Sequence, residues 1–309
     1  MALGFRSTGG VSGGAYGQFV SRSQCAQGGS EAVHDVGGTS SVNVEPTVAK
    51  DRVRVDFSSL AFPTRKVGPL SFSVGEQSAV VEWLLRFSPA STGTAVHFAN
   101  AYTVALADSD AEYAQALDSP RSVCVTDGMP ISWAGRRFYP DLAGSWERVS
   151  GADVMQAVLA GSGSAGPKHY FLGGDDETLA SLIANVRRDW PHAVIAGYES
   201  PPFRELTSAE LAQQDQRIRD SRATHVWVGL GTPKQDWESE RLAAELPVVA
   251  LAVGAAFDFI AGTKKRAPEW VQNSGLEWAH RLFSEPRRLA KRYLWGNPRF
   301  VIAVWRHRP

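Results

Sequence analysis

Several features that mark common kinds of protein are scarce in this chain. Its 309 residues contain only two cysteines, Cys25 and Cys124, which excludes a disulfide framework and indicates a reducing compartment. The seven histidines show no paired spacing, and two cysteines cannot complete a zinc site. We therefore predict that the protein holds no metal ion.

Long apolar runs and an excess of one charge are also missing. No apolar segment approaches the about 20 residues that a membrane-spanning helix needs. The formal net charge is zero, so we predict no nucleic-acid partner. The balance is uneven along the chain, because residues 281–309 hold eight arginines and lysines against one glutamate. Basic residues mixed with aromatic ones favour an anionic membrane surface as partner.

The remaining pattern predicts three segments. Residues 1–50 are rich in glycine and serine without a sustained apolar period, which predicts a disordered leader. Residues 51–280 alternate short apolar strands with helices, starting with a strand at Val53 and including one helix from about Tyr102 to Leu117. This alternation predicts an α/β fold with a mostly parallel sheet and helices on both faces.

The third segment, residues 281–309, is predicted to be a basic amphipathic appendage. Its spacing places four apolar side chains near one face of a helix and most of the arginines on the other. The four apolar residues are Leu282, Leu289, Tyr293 and Leu294.

Ligands of such sheets bind beyond the carboxyl ends of the strands. Asp127 follows the predicted strand SVCV, where partial loss of solvent can tune its pKa for base catalysis. The alternative is an ordinary turn residue before Gly128. Further candidates at predicted strand ends are Asn100, Gly173 and Gly174.

The segment 229–235 connects a predicted strand to a helix. Gly229 and Gly231 would let backbone N–H groups approach a phosphate, and Lys234 would add a positive charge. The alternative is an ordinary strand-to-helix turn.

Two further motifs are interpreted without a function. The GxGxxG pattern at 161–166 has a helix before it and a strand after it, whereas a dinucleotide site needs the reverse order. We interpret it as a helix-to-strand loop. The sequence Asp108-Ser109-Asp110 resembles a metal-binding DxD motif but falls in a helical stretch, so we interpret its carboxylates as solvated.

Taken together, six segments resemble the WecG/TagA/CpsF glycosyltransferase family. The likeness runs from about Val53 to Phe300. It implies a Rossmann-like fold of the type called GT-E, with a C-terminal helical appendage. The segments are TDG (126–128), ERVSGAD (147–153), YFLGG (170–174), GLGTPKQDW (229–237), FDFIAGTKKRAPEW (257–270) and GLEWAHRLFSEPRRLAKRY (275–293).

The resemblance also implies an activity. Family members look like inverting, metal-independent enzymes without a cofactor, which move a sugar from a UDP-sugar donor such as UDP-N-acetylmannosamine. The acceptor is a sugar linked to polyprenyl diphosphate, and the product is cell-surface polysaccharide or teichoic acid. The implied location is cytoplasmic, on the inner face of the cell membrane. The oligomeric state stays open, with a homo-oligomer among the alternatives.

Individual roles follow from the same motifs. By resemblance, Asp127 is the general base that takes the proton from the acceptor hydroxyl. Asn100, Arg148 and Gln235 match residues that position the donor or its diphosphate. Three arginines of the appendage match residues that contact the acceptor diphosphate. They are Arg287, Arg288 and Arg292.

This chain departs from the family pattern in three respects. The family's Thr-x-Asn motif reads Phe98-Ala99-Asn100 here, so Phe98 replaces the threonine, and Asp236 stands where the family has a glutamate. The predicted leader has no family counterpart. The loss of the threonine hydroxyl keeps open a non-catalytic member that binds nucleotide sugars at a membrane surface. A Rossmann oxidoreductase is the remaining alternative, and it requires the 161–166 loop to lie between a strand and a helix.

Overall fold

The computed structural model describes residues 62–87, 89, 91–268, 270–271 and 274–309. The leader predicted at residues 1–50 and the strand predicted at Val53 lie outside the described residues.

Six parallel strands form the central sheet. Their order across the sheet is β4-β3-β8-β7-β5-β6, and every neighbouring pair is parallel. A separate antiparallel hairpin, β1 and β2, precedes them. The strands are β1 Thr64–Val67, β2 Leu70–Ser73, β3 Thr94–Ala99, β4 Ser122–Thr126, β5 Lys168–Gly173, β6 Val194–Glu199, β7 His225–Gly229 and β8 Val249–Ala252.

Helices cover both faces of this sheet. Alternate strand residues point to opposite sides, and because the strands are apolar on both sides, each face needs a covering layer. One apolar core lies between the sheet and α1, α5, α6 and α9, and the opposite side packs against α2, α3, α7 and α8. The predicted α/β fold class is therefore confirmed. The helices are α1 Gln77–Arg86, α2 Ala101–Ser109, α3 Ala111–Leu117, α4 Met129–Phe138, α5 Gly151–Gly161, α6 Asp176–Asp189, α7 Ser208–Asp220, α8 Lys234–Glu245, α9 Ala256–Ala261, α10 Glu277–Ser284 and α11 Pro286–Arg306.

The single helix predicted from Tyr102 to Leu117 is wrong, because the structure has two helices there. The backbone of Asp110 is extended, and its carboxylate accepts a hydrogen bond of 3.0 Å from the N–H of Tyr113. A short acidic side chain that caps the next helix competes with continuation of the previous one.

Asp108 also differs from the prediction of solvated carboxylates. Its side chain is 1% exposed and accepts hydrogen bonds from Arg306 and His307 of α11. Asp108 therefore joins the C-terminal helix to α2.

The C-terminal segment consists of two helices that meet at Glu285. Leu289 is buried, whereas Leu294 on the same helix is 74% exposed, so the predicted common apolar face is wrong. The physical reason is that α11 restarts at Pro286 and packs against α2. The predicted boundary between residues 280 and 281 falls inside α10. None of the described helices combines the length and apolar character needed to cross a membrane.

The GxGxxG segment joins the end of α5 to the start of β5. The prediction of a helix-to-strand loop is confirmed. Because this loop precedes β5, it lies at the amino end of the sheet, opposite to the edge at which such folds bind ligands.

Candidate active site

The strand order predicts a ligand crevice at the carboxyl end of the sheet beside β3. The chain leaves β3 for the neighbouring edge strand β4 and later crosses to β5 on the other side, so the strand order reverses there. Ligands of doubly wound sheets bind at this kind of position. The two strand ends hold Asn100 and Asp127 close together, since the Asp127 N–H donates to the Ala99 carbonyl at 3.0 Å.

The Asp127 carboxyl group has the chemistry of a base. Loss of solvent, and next the negative charge of Glu277, raise its pKa to about 6, while the positive charges of Arg148, Arg281 and Arg292 oppose the rise. Among the described residues, none forms a hydrogen bond or an ion pair with this carboxylate. Gly128 follows it with a φ of 103°, which favours glycine and turns the chain into α4. Above pH 6 the group is therefore an ionised base with unused acceptor capacity.

Asn100 lies between Asp127 and the C-terminal helix. It caps α2, because its Oδ1 accepts from the N–H groups of Tyr102 (3.0 Å) and Thr103 (3.4 Å). The same oxygen accepts from Nη2 of Arg292 at 3.5 Å. Asn100 therefore links the start of α2 to α11 at the mouth of the crevice.

Arg148 is held by acidic side chains from two other elements. Its Nη1 donates to Glu277 of α10 at 3.3 Å, and its Nη2 donates to Asp153 of α5 at 3.5 Å. Both terminal nitrogens of Arg266 also donate to Asp153. Burial would raise the pKa of Asp153, but hydrogen bonds and charge from Arg266, together with the charge of Arg148, hold it below its usual value. Asp153 is therefore ionised and fixes both arginines.

The sequence prediction missed Asp153, Arg266 and Glu277 as members of this group. All three lie inside the segments ERVSGAD, KKRAPEW and GLEW that carried the family resemblance. Their charged residue types were a usable signal. Their contact was not, because Asp153 lies more than a hundred residues before Arg266 and Glu277 and meets them only in the fold.

The predicted arginines of the appendage separate in space. The Arg292 guanidinium stacks 4.5 Å above the Tyr102 ring, and its Nε is buried without a hydrogen-bond partner in the described part of the chain. Burial lowers its pKa. Arg287 is exposed on α11, and the side chain of Arg288 lies outside the described part. Only Arg292 of the three is shown beside Asn100, and the roles of all three stay predictions.

The other half of the crevice is lined by glycines at the ends of β5 and β7. Gly173 has a φ of 126°, and a Cβ there would lie 2.6 Å from the Gly229 carbonyl oxygen, so only glycine fits. Gly174 also has a positive φ of 73°. Gly231 is exposed, with a φ of 77° and open space around it. Gly231 therefore leaves exposed backbone at this side, and a phosphate contact there stays a prediction.

The Gln235 side chain holds the loop between β7 and α8 in place through two hydrogen bonds. Its Oε1 accepts from the Gly231 N–H at 3.0 Å, and its Nε2 donates to the Ala252 carbonyl at 3.0 Å. The buried side chain thereby ties the loop to the end of β8. Lys234 is exposed at the first position of α8. A direct contact between Gln235 and a donor stays a prediction.

The two substitutions within the family motifs both lie in the interior. Phe98 is 6% exposed, and its ring packs against Gly151 at the start of α5. Asp236 accepts from His97 Nδ1 at 3.1 Å and from the Tyr113 hydroxyl at 2.8 Å. Phe98 therefore fills core space, and Asp236 is a paired, buried carboxylate.

His97 is charged because it is held between two carboxylates. Its Nε2 donates to Glu240 at 2.9 Å, on the opposite side of the ring from Asp236. Burial lowers its pKa, but hydrogen bonds and charges from Asp236 and Glu240 outweigh this and raise it to about 9. This network joins α8 to β3 beneath Gln235, and the sequence did not reveal it. Within the described ranges, no group of three or more His, Cys, Asp or Glu side chains is arranged to hold a metal ion.

A comparison with family models supports the resemblance found in the sequence. The model described as "Glycosyl transferase WecG/TagA/CpsF family" matches residues 65–309. The match covers both halves of the crevice and both C-terminal helices.

Proposed function

Because the chain belongs to the WecG/TagA/CpsF family of glycosyltransferases of cell-surface polysaccharide synthesis, we propose an inverting, metal-independent transfer of a sugar. The donor is a UDP-sugar, such as UDP-N-acetylmannosamine or another UDP-hexose. The acceptor is a sugar linked to polyprenyl diphosphate. The observation that carries the proposal is the Asp127 carboxylate, which lies in a cationic crevice with a pKa of about 6 and no hydrogen bond from the described residues.

In this proposal Asp127 is the general base. Its carboxylate takes the proton from the acceptor hydroxyl while that oxygen forms a bond to the anomeric carbon of the donor. The bond from the anomeric carbon to the diphosphate oxygen breaks, and its electron pair leaves with UDP. Attack from the face opposite to the leaving group inverts the anomeric configuration. General base catalysis of this kind contributes about 10²- to 10⁴-fold in rate.

The negative charge that develops on UDP must be stabilised. Arg148 and Arg292 lie near Asp127 and can donate charge-assisted hydrogen bonds to a diphosphate. For Arg292 this assignment to the donor replaces the acceptor contact that the resemblance implies, because its guanidinium lies beside Asn100. On the glycine side, the exposed Lys234 at the start of α8 can add a further positive charge. Fixed cations need little reorganisation during the reaction. In this proposal these protein groups, and not a metal ion, stabilise the negative charge on the departing UDP.

The test of this proposal is transfer from a panel of radiolabelled UDP-sugars to lipid extracts of the host. Asp127→Asn should lose about 10²- to 10⁴-fold in rate. The matched control is Asp110→Asn, because asparagine can keep the cap on α3. Chelation of divalent cations should leave the wild-type rate unchanged.

Three outcomes would contradict parts of the proposal. Full activity of Asp127→Asn would remove the assigned base. Loss of activity on chelation, with recovery on adding a divalent cation, would remove metal independence. No labelled lipid product with any donor would favour the non-catalytic alternative that Phe98 kept open.

The outer face of α11 supports an acceptor held at a membrane. Four apolar side chains on it are exposed, and Arg287 and Lys291 lie on its exposed surface nearer the start of the helix. Such a face binds an anionic bilayer by burying its apolar residues while its cations meet the headgroups. We place the protein peripherally on the inner face of the cell membrane. The apolar residues are Leu294, Val301, Ile302 and Trp305.

Sedimentation with vesicles of neutral or partly anionic lipid tests this placement. The double variant Val301→Ser/Trp305→Ser should bind anionic vesicles more weakly, and high salt should weaken binding of the wild type. The control is Phe203→Ser, which removes a side chain that is 91% exposed on another part of the molecule. Equal binding of the double variant and the wild type would contradict this membrane surface.

A further inference from the structure

Asp108 has no part in the reaction described above, yet it is a buried charged group at the far end of α2. We propose that Asp108 is a positioning residue: it anchors the end of α11 and thereby holds Arg292 against Asn100 beside Asp127. This inference rests on the proposed function, since it concerns the geometry of the same site.

The anchor consists of one carboxylate, two arginine side chains and one histidine ring. Arg306 Nη1 donates to both carboxylate oxygens of Asp108, at 3.0 and 3.1 Å, and His307 Nε2 lies 3.1 Å from one of them. Arg299 Nε lies 3.8 Å away. The Asp108 side chain is 1% exposed, and a buried carboxylate is stable only while its partners remain. Moving this end of α11 would leave the Asp108 carboxylate buried without partners, so the ion pairs hold the end of the helix in place.

The opposite end of the same helix pair forms the active-site contact. Arg292 stacks on Tyr102 and donates to Asn100, and the Trp295 ring meets Tyr102 edge-on with centroids 6.0 Å apart. Gly296 also lies against Tyr102, because a Cβ there would come within 2.9 Å of the ring. Helices α2 and α11 therefore touch from the crevice to Asp108.

Directional contacts at both ends of α11 fix its position along the helix axis and its rotation about that axis. Arg292 and Arg306 are about 20 Å apart along α11, at about 1.5 Å per residue. A slip of one residue would move Arg292 by about 1.5 Å and turn it by about 100°. The Arg292–Asn100 hydrogen bond is already 3.5 Å long, so it would not survive such a slip. Apolar contacts of Phe300 and Ala303 are less directional than the charge-assisted bonds to Asp108.

A purely local role for Asp108 makes a different prediction. If it only strengthens the helix pair, its loss lowers thermal stability but leaves kcat/KM of the folded protein unchanged. If it positions Arg292, its loss lowers kcat/KM, and the effect disappears once Arg292 is absent. Coupled residues show this lack of additivity, whereas independent ones do not.

The experiment compares Asp108→Asn and Arg306→Gln with Glu112→Gln, which changes an exposed carboxylate on the neighbouring α3. Both anchor variants should lower kcat/KM by about 10- to 100-fold, the effect of a misplacement of about 1 Å. The Glu112→Gln control should match the wild type. In an Arg292→Gln background, Asp108→Asn should change kcat/KM less than about twofold, because the residue that it positions is gone.

Amide hydrogen exchange supplies a readout that needs no transfer activity. Asp108→Asn should speed exchange at residues 289–296, at the active-site end of α11, while the central strands stay protected. Faster exchange confined to residues 299–307, wild-type kcat/KM, or full additivity with Arg292→Gln would each overturn the inference. If the wild type transfers no sugar, the proposed function fails, and the exchange pattern still decides whether Asp108 holds the site end of α11.

Discussion

The two ends of the central sheet differ in how their titratable side chains are paired. At the amino end, the Trp227 indole N–H donates to His169 Nδ1 at 3.1 Å, and His169 Nε2 lies 2.9 Å from the Ser162 hydroxyl. His225 Nε2 donates to the Leu84 carbonyl at 2.9 Å. Burial lowers the pKa of His169 to about 3 and that of His225 to about 4. Both rings are neutral, and their nitrogens are satisfied by the protein itself.

At the carboxyl end, the protein leaves polar groups unsatisfied. The Asp127 carboxylate has no hydrogen bond from the described residues, and the buried Nε atoms of Arg266 and Arg292 have no partner among them. Buried charged groups are normally paired, so the charged groups beside Asp127 that lack a partner are ones whose pairing a ligand can complete. Neutral buried groups without a partner in the described part of the chain occur elsewhere too, as at Thr94 Oγ1 at the start of β3. The comparison separates histidines that stabilise the fold from charged groups that, in the proposed function, contact the substrates.

After the loss of the base itself, the largest expected effect on kcat/KM comes from replacing Arg292 at the carboxyl end of the sheet. Arg292→Gln should lower kcat/KM by about 10²- to 10³-fold, because a preorganised cation is lost from the leaving group. Thermal stability should change little, since the buried guanidinium is incompletely paired. Steady-state kinetics and thermal unfolding measure both, with Arg219→Gln on α7 as the control. A large loss of stability without loss of kcat/KM would reverse the interpretation of this residue.

The second prediction concerns the stability cost of Asp127. Its folded-state pKa of about 6 lies above the value of 3.8 for a free carboxyl group. Stability is therefore lost as pH rises through 6, because ionisation is less favourable in the fold than in the unfolded chain. Asp127→Asn should be more stable than the wild type at pH 8 by about 1–3 kcal/mol. The difference should vanish near pH 4.

Denaturant unfolding at these two pH values measures this effect. A variant that is less stable than the wild type at pH 8 would show that Asp127 has a structural partner.

The third prediction tests the amino end, where the pH dependence runs the other way. His169→Leu should lower the free energy of unfolding by about 1–3 kcal/mol at pH 7, because Trp227 and Ser162 lose a partner. In the wild type, stability falls as pH drops below 6.5, since the unfolded chain binds a proton that the folded chain binds only near pH 3. The variant should lose part of this acid sensitivity and keep the kcat/KM of the wild type. A loss of kcat/KM in fully folded His169→Leu would contradict the conclusion that the histidines at the amino end act on stability alone.

The smallest expected effect is a shift in the pH profile of kcat/KM, which tests how neighbouring charges set the pKa of Asp127. The charge of Glu277 raises the pKa of Asp127, and the charge of Arg281 lowers it. Glu277→Gln should shift the acid limb of the pH profile of kcat/KM to lower pH, and Arg281→Gln should shift it to higher pH. Each shift should be less than about one pH unit, because partly exposed charges act through solvent. Shifts of the same sign would show that Asp127 does not set this limb.

The fold class was predictable because it depends on local patterns. Apolar runs such as AVHF and HVWVG predict strands buried on both faces, and the structure has them at β3 and β7. Asp127 was predictable too, since a strand that ends in a carboxylate before glycine reaches the ligand-binding edge of a parallel sheet. The break between α2 and α3 at Asp110 was not predictable, because the free energies of a capped helix start and of a continuous helix differ by no more than about 2 kcal/mol.

The sequence alone therefore determined the layered α/β architecture, the family and the position of the candidate base. These follow from periodicity and from short motifs, which need no knowledge of distant contacts. Only the tertiary structure decided which charges meet: Arg148 with Glu277, Arg266 with Asp153, and Arg306 with Asp108. Such pairs join residues far apart in the chain. Their partners depend on how α10 and α11 pack against the core, because Coulomb attraction acts through distance in space and not along the sequence.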